Sequence, residues 1–297
     1  MKNICVIGAG AMGNGIAHVF AQNGYQVHLH DVKAEMLTKA MATIEKNMNR
    51  QIKKELISEE QKAKALQLLH TSVELPESVA NADLVVEAAT ENLEIKKQLF
   101  QQIDNYANPE CILATNTSSI SITQLAAVTQ RREQVIGMHF MNPVPVMKLV
   151  EIIKGYATSE EVVDEVVKVS SLLQKTPLIV NDYPGFISNR ILMPMINEAI
   201  YSLYEGVAGV REIDQIMQLG MAHPMGPLRL ADFIGLDVCL SIMRVLQEGF
   251  GNPKYAPCPL LVNMVTSGNL GIKSGIGFYD YRKNPKEPDL ASQFIKN

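Results

Sequence analysis

Short apolar, β-branched runs alternate with longer stretches of helical periodicity from the N-terminus to about residue 182. Such alternation predicts a parallel sheet with crossover helices, because parallel strands need a long connection that returns the chain to the same edge. Strands are expected at residues 3–7, 26–30, 82–88, 111–115, 134–138, 148–153 and 176–180. Between the second and third lie two polar-rich helical stretches, 34–56 and 59–69, the latter opened by Ser58 as an N-cap. Beyond Asp182 the strand signals stop, and Tyr183-Pro184-Gly185 forms a break before a region of helical periodicity alone. Helices are expected there over 186–204, 210–219, 228–248 and 259–266, with Pro194 kinking the first. The pattern predicts an α/β domain with a mostly parallel sheet over 1–182, followed by an all-α domain over 183–297.

The first strand and helix carry a more specific signal. In KNICVIGAGAMG, Gly8, Gly10 and Gly13 have the spacing G-x-G-x-x-G between an apolar strand and a helix that runs to about Gln22. Gly24 ends that helix, and the second strand, QVHLH, finishes on Asp31, 18 residues after Gly13. A βαβ unit with these features is the dinucleotide fingerprint of a Rossmann-like domain. Gly8 permits the tight turn, Gly10 lets the backbone approach a pyrophosphate, and Gly13 allows the helix to pack closely on the strand. Ala11 and Met12 lie at the helix N-terminus that would face the phosphates and join the glycines as cofactor-binding candidates. Asp31 can accept hydrogen bonds from the adenosine ribose and repels a phosphate there, which favours NAD over NADP, although Lys33 partly offsets the repulsion. FAD, or glycines that only shape a turn, remain alternatives at this point. His28 and His30 share one side of a strand and are read as neutral histidines, with no metal site expected.

Oxidation of an alcohol by a nicotinamide needs a base for the hydroxyl proton, a group to hold the base, and donors for the developing carbonyl oxygen. Candidates follow successive predicted strands: Asn116-Thr117-Ser118-Ser119 after one, His139 and Asn142 at the end of the next, and Glu151 on the strand after that. In open α/β sheets ligands bind beyond the carboxyl ends of the strands, where the first two segments fall.

Over nearly its whole length the chain resembles the L-3-hydroxyacyl-CoA dehydrogenases, in particular their short-chain bacterial branch. The resemblance rests on VIGAGAMGNGIA, LVVEAATENLEIKKQLF, ATNTSSISI, GMHFMNPVPVMKLVEII, PGFISNRI and GIGFY. It implies a catalytic set of His139, Glu151 and Asn189 with Ser118, all four matching in identity and spacing. His139 would be the general base, Glu151 its orienting carboxylate, and Ser118 and Asn189 hydrogen-bond donors to the reacting oxygens. The resemblance also implies cofactor contacts from Glu91, Lys96, Asn116, Ser118, Asn142 and Lys273, though a Glu and Lys five apart could equally form a surface ion pair. For coenzyme A it points to Lys54, with Asn47 as a further contact. Lys46, Arg50, Lys53 and Lys54 would form a basic stripe on one helix face, or a merely solvated one. The implied reaction is reversible NAD-dependent oxidation of an (S)-3-hydroxyacyl-CoA, with 3-hydroxybutyryl-CoA as the expected substrate, to the 3-ketoacyl-CoA. A dehydrogenase of a free hydroxy or sugar acid, or a non-catalytic NAD-binding protein, is the alternative.

Composition adds exclusions. The net charge of −4 gives no general nucleic-acid footprint, and no run of about 18 apolar residues predicts a membrane span. Four scattered cysteines suggest neither a zinc site nor a disulfide framework, so a cytoplasmic location is expected. The apolar residues of 186–204 cover more than one narrow helical stripe, and with the family resemblance they predict a homodimer through the C-terminal helices.

Overall fold

The runs NICVI, LVVE, ILAT and VIGMHF are apolar almost throughout, and each becomes a strand buried on both faces of a sheet. A computed structural model describes residues 1–295, which cluster into two units divided after Tyr183. In the first unit the strands are β1 (Asn3–Ile7), β2 (Gln26–His30), β3 (Leu69–Ser72), β4 (Leu84–Glu87), β5 (Ile112–Thr115), β6 (Val135–Phe140), β7 (Leu149–Lys154) and β8 (Thr176–Asn181). Its helices are α1 (Ala11–Gln22), α2 (Ala34–Ile52), α3 (Glu59–Gln67), α4 (Leu75–Val79), α5 (Leu93–Tyr106), α6 (Ile122–Ala126) and α7 (Glu160–Leu172).

The strand order is β3-β2-β1-β4-β5-β6-β7-β8, with β6 and β7 antiparallel and the other neighbours parallel. The order reverses between β1 and β4, which makes their carboxyl ends the switch point where a doubly wound sheet binds its ligand. This is the Rossmann-like, mostly parallel architecture that the alternating pattern predicts. Ser58 caps α3 in a full capping box with Gln61.

Two local features of this unit differ from expectation. β3, LHTS, lies where no strand is expected, and only its first residue, Leu69, falls within the helix expected over 59–69. It is a short, largely polar edge strand beside β2, too brief for its alternation to register. Helix α2 ends at Ile52, so Lys53 caps it and Lys54 lies in the following turn, next to Glu55 with φ +56°. The basic stripe is therefore not one continuous helix face.

The second unit contains α8 (Ser188–Tyr204), α9 (Val210–Met221), α10 (Pro227–Ile234), α11 (Leu236–Phe250) and α12 (Pro259–Thr266). Expected as one helix over 228–248, α10 and α11 are separated by Gly235, whose φ of +104° a helix cannot accommodate. Pro194 lies inside α8 without ending it. The unit is not wholly helical, because β9 (Tyr279–Asp280) and β10 (Asp289–Leu290) form a small antiparallel hairpin. That hairpin is tied to the helices by buried Asp232, which accepts the N–H groups of Phe278 and Tyr279, each at 3.0 Å, and the Tyr281 hydroxyl at 3.1 Å. A side chain at Gly277 would overlap the Asp232 carboxylate, which explains a glycine there. Among the described residues no helix is long and apolar enough to cross a membrane.

Candidate active site

The turn from β1 into α1 is built around its glycines. Gly8 has φ +97°, donates its N–H to the His30 carbonyl at 2.8 Å, and leaves no room for a Cβ beside the Ala88 carbonyl. A Cβ on Gly13 would stand 1.6 Å from the Gly8 carbonyl oxygen, so this contact of turn and helix requires glycine. Gly10 is different: a Cβ there would meet nothing within 4 Å. Its open face lies just before Ala11 and Met12, at the N-terminus of α1, where backbone N–H groups favour an anion. Asp31, at the end of β2, accepts the N–H of Ala9 at 2.8 Å and that of Lys33 at 3.0 Å. A cavity of ≈ 530 Å³ is lined by Gly8, Gly10, Asp31 and Val32 together with Ala89 and Leu99. A cradle open only at Gly10, with a carboxylate beside an adjoining cavity, fits a dinucleotide.

Further along the sheet edge, β6 runs parallel to β5 and ends one residue after His139. The chain then reverses through 141–148, so antiparallel β7 returns Glu151 to the same end of the sheet. His139 and Glu151 are register partners, and the imidazole Nδ1 lies 2.8 Å from Glu151 Oε2. Both are buried, at 9% and 3% exposure. With Nδ1–H donated to the carboxylate, Nε2 carries the lone pair that a general base needs.

Ser118 belongs to the loop after β5, and a single carboxylate holds that loop. Glu91 Oε1 accepts from the Thr117 hydroxyl at 2.6 Å, the Ser118 N–H at 3.0 Å, and the Ser118 and Ser119 hydroxyls at 3.3 and 3.0 Å. Burial opposes ionisation of Glu91, but nearby Lys96 and these donors outweigh it and hold the carboxyl below the ordinary carboxylate range. Asn116 joins the loop to the His139 strand, accepting the Phe140 N–H on Oδ1 at 2.9 Å. Asn142 is exposed in the turn after β6. Glu91, Asn116, Ser118, His139 and Glu151 thus gather at one end of the sheet.

Lys96 is 1% exposed, so it is no surface group; its ammonium lies 2.6 and 2.7 Å from the two oxygens of Glu87 and 3.6 Å from Glu91 Oε2. Glu87 itself escaped the sequence reading. The only hint was an acidic residue ending the apolar run LVVE, which an exposed strand terminus would equally explain.

The remaining candidates lie on other elements. Asn189 is buried near the start of α8. Lys273 lies in a short 3-10 turn, Ile272–Ser274, with its ammonium paired to Asp237 at the start of α11. Lys54 is exposed after α2, and half-buried Asn47 accepts from Arg50 at 3.4 Å.

An imidazole backed by a buried carboxylate, at the sheet edge that also bears a dinucleotide turn, suits proton removal from an alcohol during hydride transfer, and this defines an NAD-dependent dehydrogenase. Residues 3–183 match the family model described as 3-hydroxyacyl-CoA dehydrogenase, NAD binding domain, and residues 185–281 match the C-terminal domain of the same name. The chain belongs to the 3-hydroxyacyl-CoA dehydrogenase family, and its cofactor is NAD. It is 54% identical to a 3-hydroxybutyryl-CoA dehydrogenase of Bradyrhizobium diazoefficiens, covering 95% of this chain and 96% of the relative. A probable 3-hydroxybutyryl-CoA dehydrogenase of Bacillus subtilis is 52% identical, with 95% and 98% covered. The crystal structure of an (S)-3-hydroxybutyryl-CoA dehydrogenase from Ralstonia eutropha superposes with a TM-score of 0.93 at 48% identity, covering 95% of this chain and all of that one. These relatives do not favour a free hydroxy or sugar acid as substrate.

Proposed function

We propose that this enzyme interconverts (S)-3-hydroxybutyryl-CoA and acetoacetyl-CoA with NAD. The observation that carries the chemistry is the buried His139–Glu151 pair, and the near full-length similarity to dehydrogenases of that name supports the short acyl chain. Bound NAD supplies the hydride acceptor. Gly8, Gly10, Ala11, Met12 and Gly13 would hold its pyrophosphate, and Asp31 its adenosine ribose.

In oxidation, His139 Nε2 removes the C3 hydroxyl proton while Glu151 stabilises the imidazolium that results. Reduction returns that proton to the same oxygen. The Ser118 hydroxyl, presented by the Glu91-anchored loop, orients the reacting oxygen. Asn189 enters this assignment from resemblance alone, as do Asn142 and Lys273 at the cofactor and Lys54 and Asn47 at coenzyme A. The exposure of Lys54, in the turn after α2, supports an electrostatic contact with the nucleotide phosphates.

The protein also acts as a homodimer in this reading. Helix α9 exposes Ile216, Leu219 and Met221, and α8 exposes Ile191, an apolar surface suited to a two-fold interface. Sedimentation equilibrium should return about twice the chain mass of 32.8 kDa, and a monomer would reject the dimer. Four buried free cysteines support a cytoplasmic setting.

The deciding assay follows NADH oxidation with acetoacetyl-CoA, its longer-chain homologues and free acetoacetate. Turnover should be greatest with acetoacetyl-CoA. Equal rates with thioester and free acid would remove coenzyme A from the assignment.

A further inference from the structure

A buried ion pair is a poor way to stabilise a core, because desolvating both charges consumes most of their attraction. The Glu87–Lys96 pair is nonetheless almost wholly enclosed, and it connects directly to the loop that carries Ser118. Lys96 Nζ lies 3.6 Å from Oε2 of Glu91, whose other oxygen accepts the Ser118 N–H and hydroxyl. A second path closes the circuit. The Thr115 hydroxyl donates to Glu87 at 2.7 Å and accepts the Thr117 N–H at 3.2 Å, while the Thr117 hydroxyl donates to Glu91 at 2.6 Å.

Glu91 is therefore drawn from two sides, by an ammonium on one oxygen and by the loop on the other. Glu87 grips Lys96 through both carboxylate oxygens and so fixes the direction from which that ammonium acts. Without Glu87, Lys96 would be left with Glu91 as its remaining carboxylate. Without Lys96, Glu87 and Glu91 would face each other with no cation between them. Either change removes a constraint on the Glu91 carboxylate that accepts from Ser118.

We propose that Glu87 and Lys96 are positioning residues for the dehydrogenase reaction, acting through Glu91 to hold Ser118 in register with the catalytic base. The proposal rests on the hydroxyacyl-CoA dehydrogenase reading of the site. Its test is the charge-neutral double variant Glu87→Gln/Lys96→Met, assayed as the full chain with NADH and acetoacetyl-CoA. Removing both charges together relieves the buried imbalance, so thermal stability should stay near that of the wild type. Turnover should still fall about 10-fold or more, with KM for NADH within about twofold. Wild-type turnover in a stable double variant would overturn the proposal, as would a raised KM for NADH with turnover intact, because Lys96 would then be a cofactor contact.

Should the double variant not fold, Thr117→Val and Thr117→Ser provide the same test from the other end of the circuit. The serine variant should keep turnover within about twofold and the valine variant should lose about 10-fold; equal turnover would overturn the proposal. The wild-type arm separates the two levels. A wild type without acetoacetyl-CoA reductase activity would reject the underlying reading, whereas active wild type with equally active variants rejects only the positioning role.

Discussion

His139 and Glu151 face each other across the antiparallel step between β6 and β7, with Nδ1 2.8 Å from Oε2. Strand register places the carboxylate against the ring, so the base is oriented by rigid backbone and not by a mobile loop. Such support is what holds a catalytic imidazole in one tautomer and one direction.

Replacing His139 by Gln should lower turnover by about 100- to 10,000-fold, the range general-base loss usually gives, with NADH affinity nearly unchanged. Steady-state kinetics and fluorescence titration of NADH measure the two quantities. Turnover retained within about threefold would show that another group takes the proton.

For Glu151→Gln the informative quantity is turnover. The carboxylate accepts from Nδ1 and so keeps the lone pair on Nε2, whereas an amide can offer its NH2 to the ring and admit the wrong tautomer. Turnover should fall by about 100-fold or more, with KM for NADH nearly unchanged. Wild-type turnover in the variant would separate Glu151 from the catalytic base.

The two glycines after the first turn residue should behave oppositely. Gly10→Ala points its methyl into open space, so the fold should keep its Tm while KM for NAD rises about 10-fold or more, because the methyl occupies the approach to the pyrophosphate. Gly13→Ala drives a methyl into the Gly8 carbonyl and should lower Tm by about 5 °C or more, or prevent folding. Matching effects of the two changes on Tm and KM would contradict this division of roles.

Asp232 predicts a pH-dependent stability. Burial pushes its carboxyl up to about 6 despite the donors from Phe278, Tyr279 and Tyr281, with Asp214 adding to the rise. The folded state then holds the proton more tightly than the unfolded chain does. The Asp232 contribution is present at low pH and is lost as pH rises from about 4 through 6. Asp232→Asn lacks that titration. The variant starts less stable, because its amide NH2 must face a donor, but it should gain on the wild type by on the order of 2 kcal/mol between pH 4 and 7. Parallel Tm-versus-pH curves for the two proteins would sink the assignment.

The parts of this molecule readable in advance are those where local chemistry and topology coincide. Gly8, Gly10 and Gly13 lie within one turn and helix start, and His139 and Glu151 lie on successive strands, so sequence spacing translates almost directly into geometry. Glu87 resisted reading because its partner Lys96 is buried, and nothing in a strand-ending Glu or a helical Lys signals burial. β3 was hidden by its brevity and polarity, and the break at Gly235 by apolar residues that keep helical periodicity on both sides. Lys54 was placed on a helix because its spacing continues the basic periodicity past Ile52, where the backbone has already turned.

The hairpin formed by β6, residues 141–148 and β7 sets different tolerances for insertion on its two sides. Much of the connection is exposed, so an extra residue there can bulge into solvent while the strands keep their pairing. An extra residue between Gly137 and His139, or between Glu151 and Ile153, cannot be absorbed in this way. It shifts one member of the pair by a single position and turns that side chain to the opposite face of the sheet. Drift in chain length can therefore accumulate in the connection without displacing the His139–Glu151 pair, whereas one inserted codon within either strand would leave a folded sheet whose imidazole and carboxylate no longer meet.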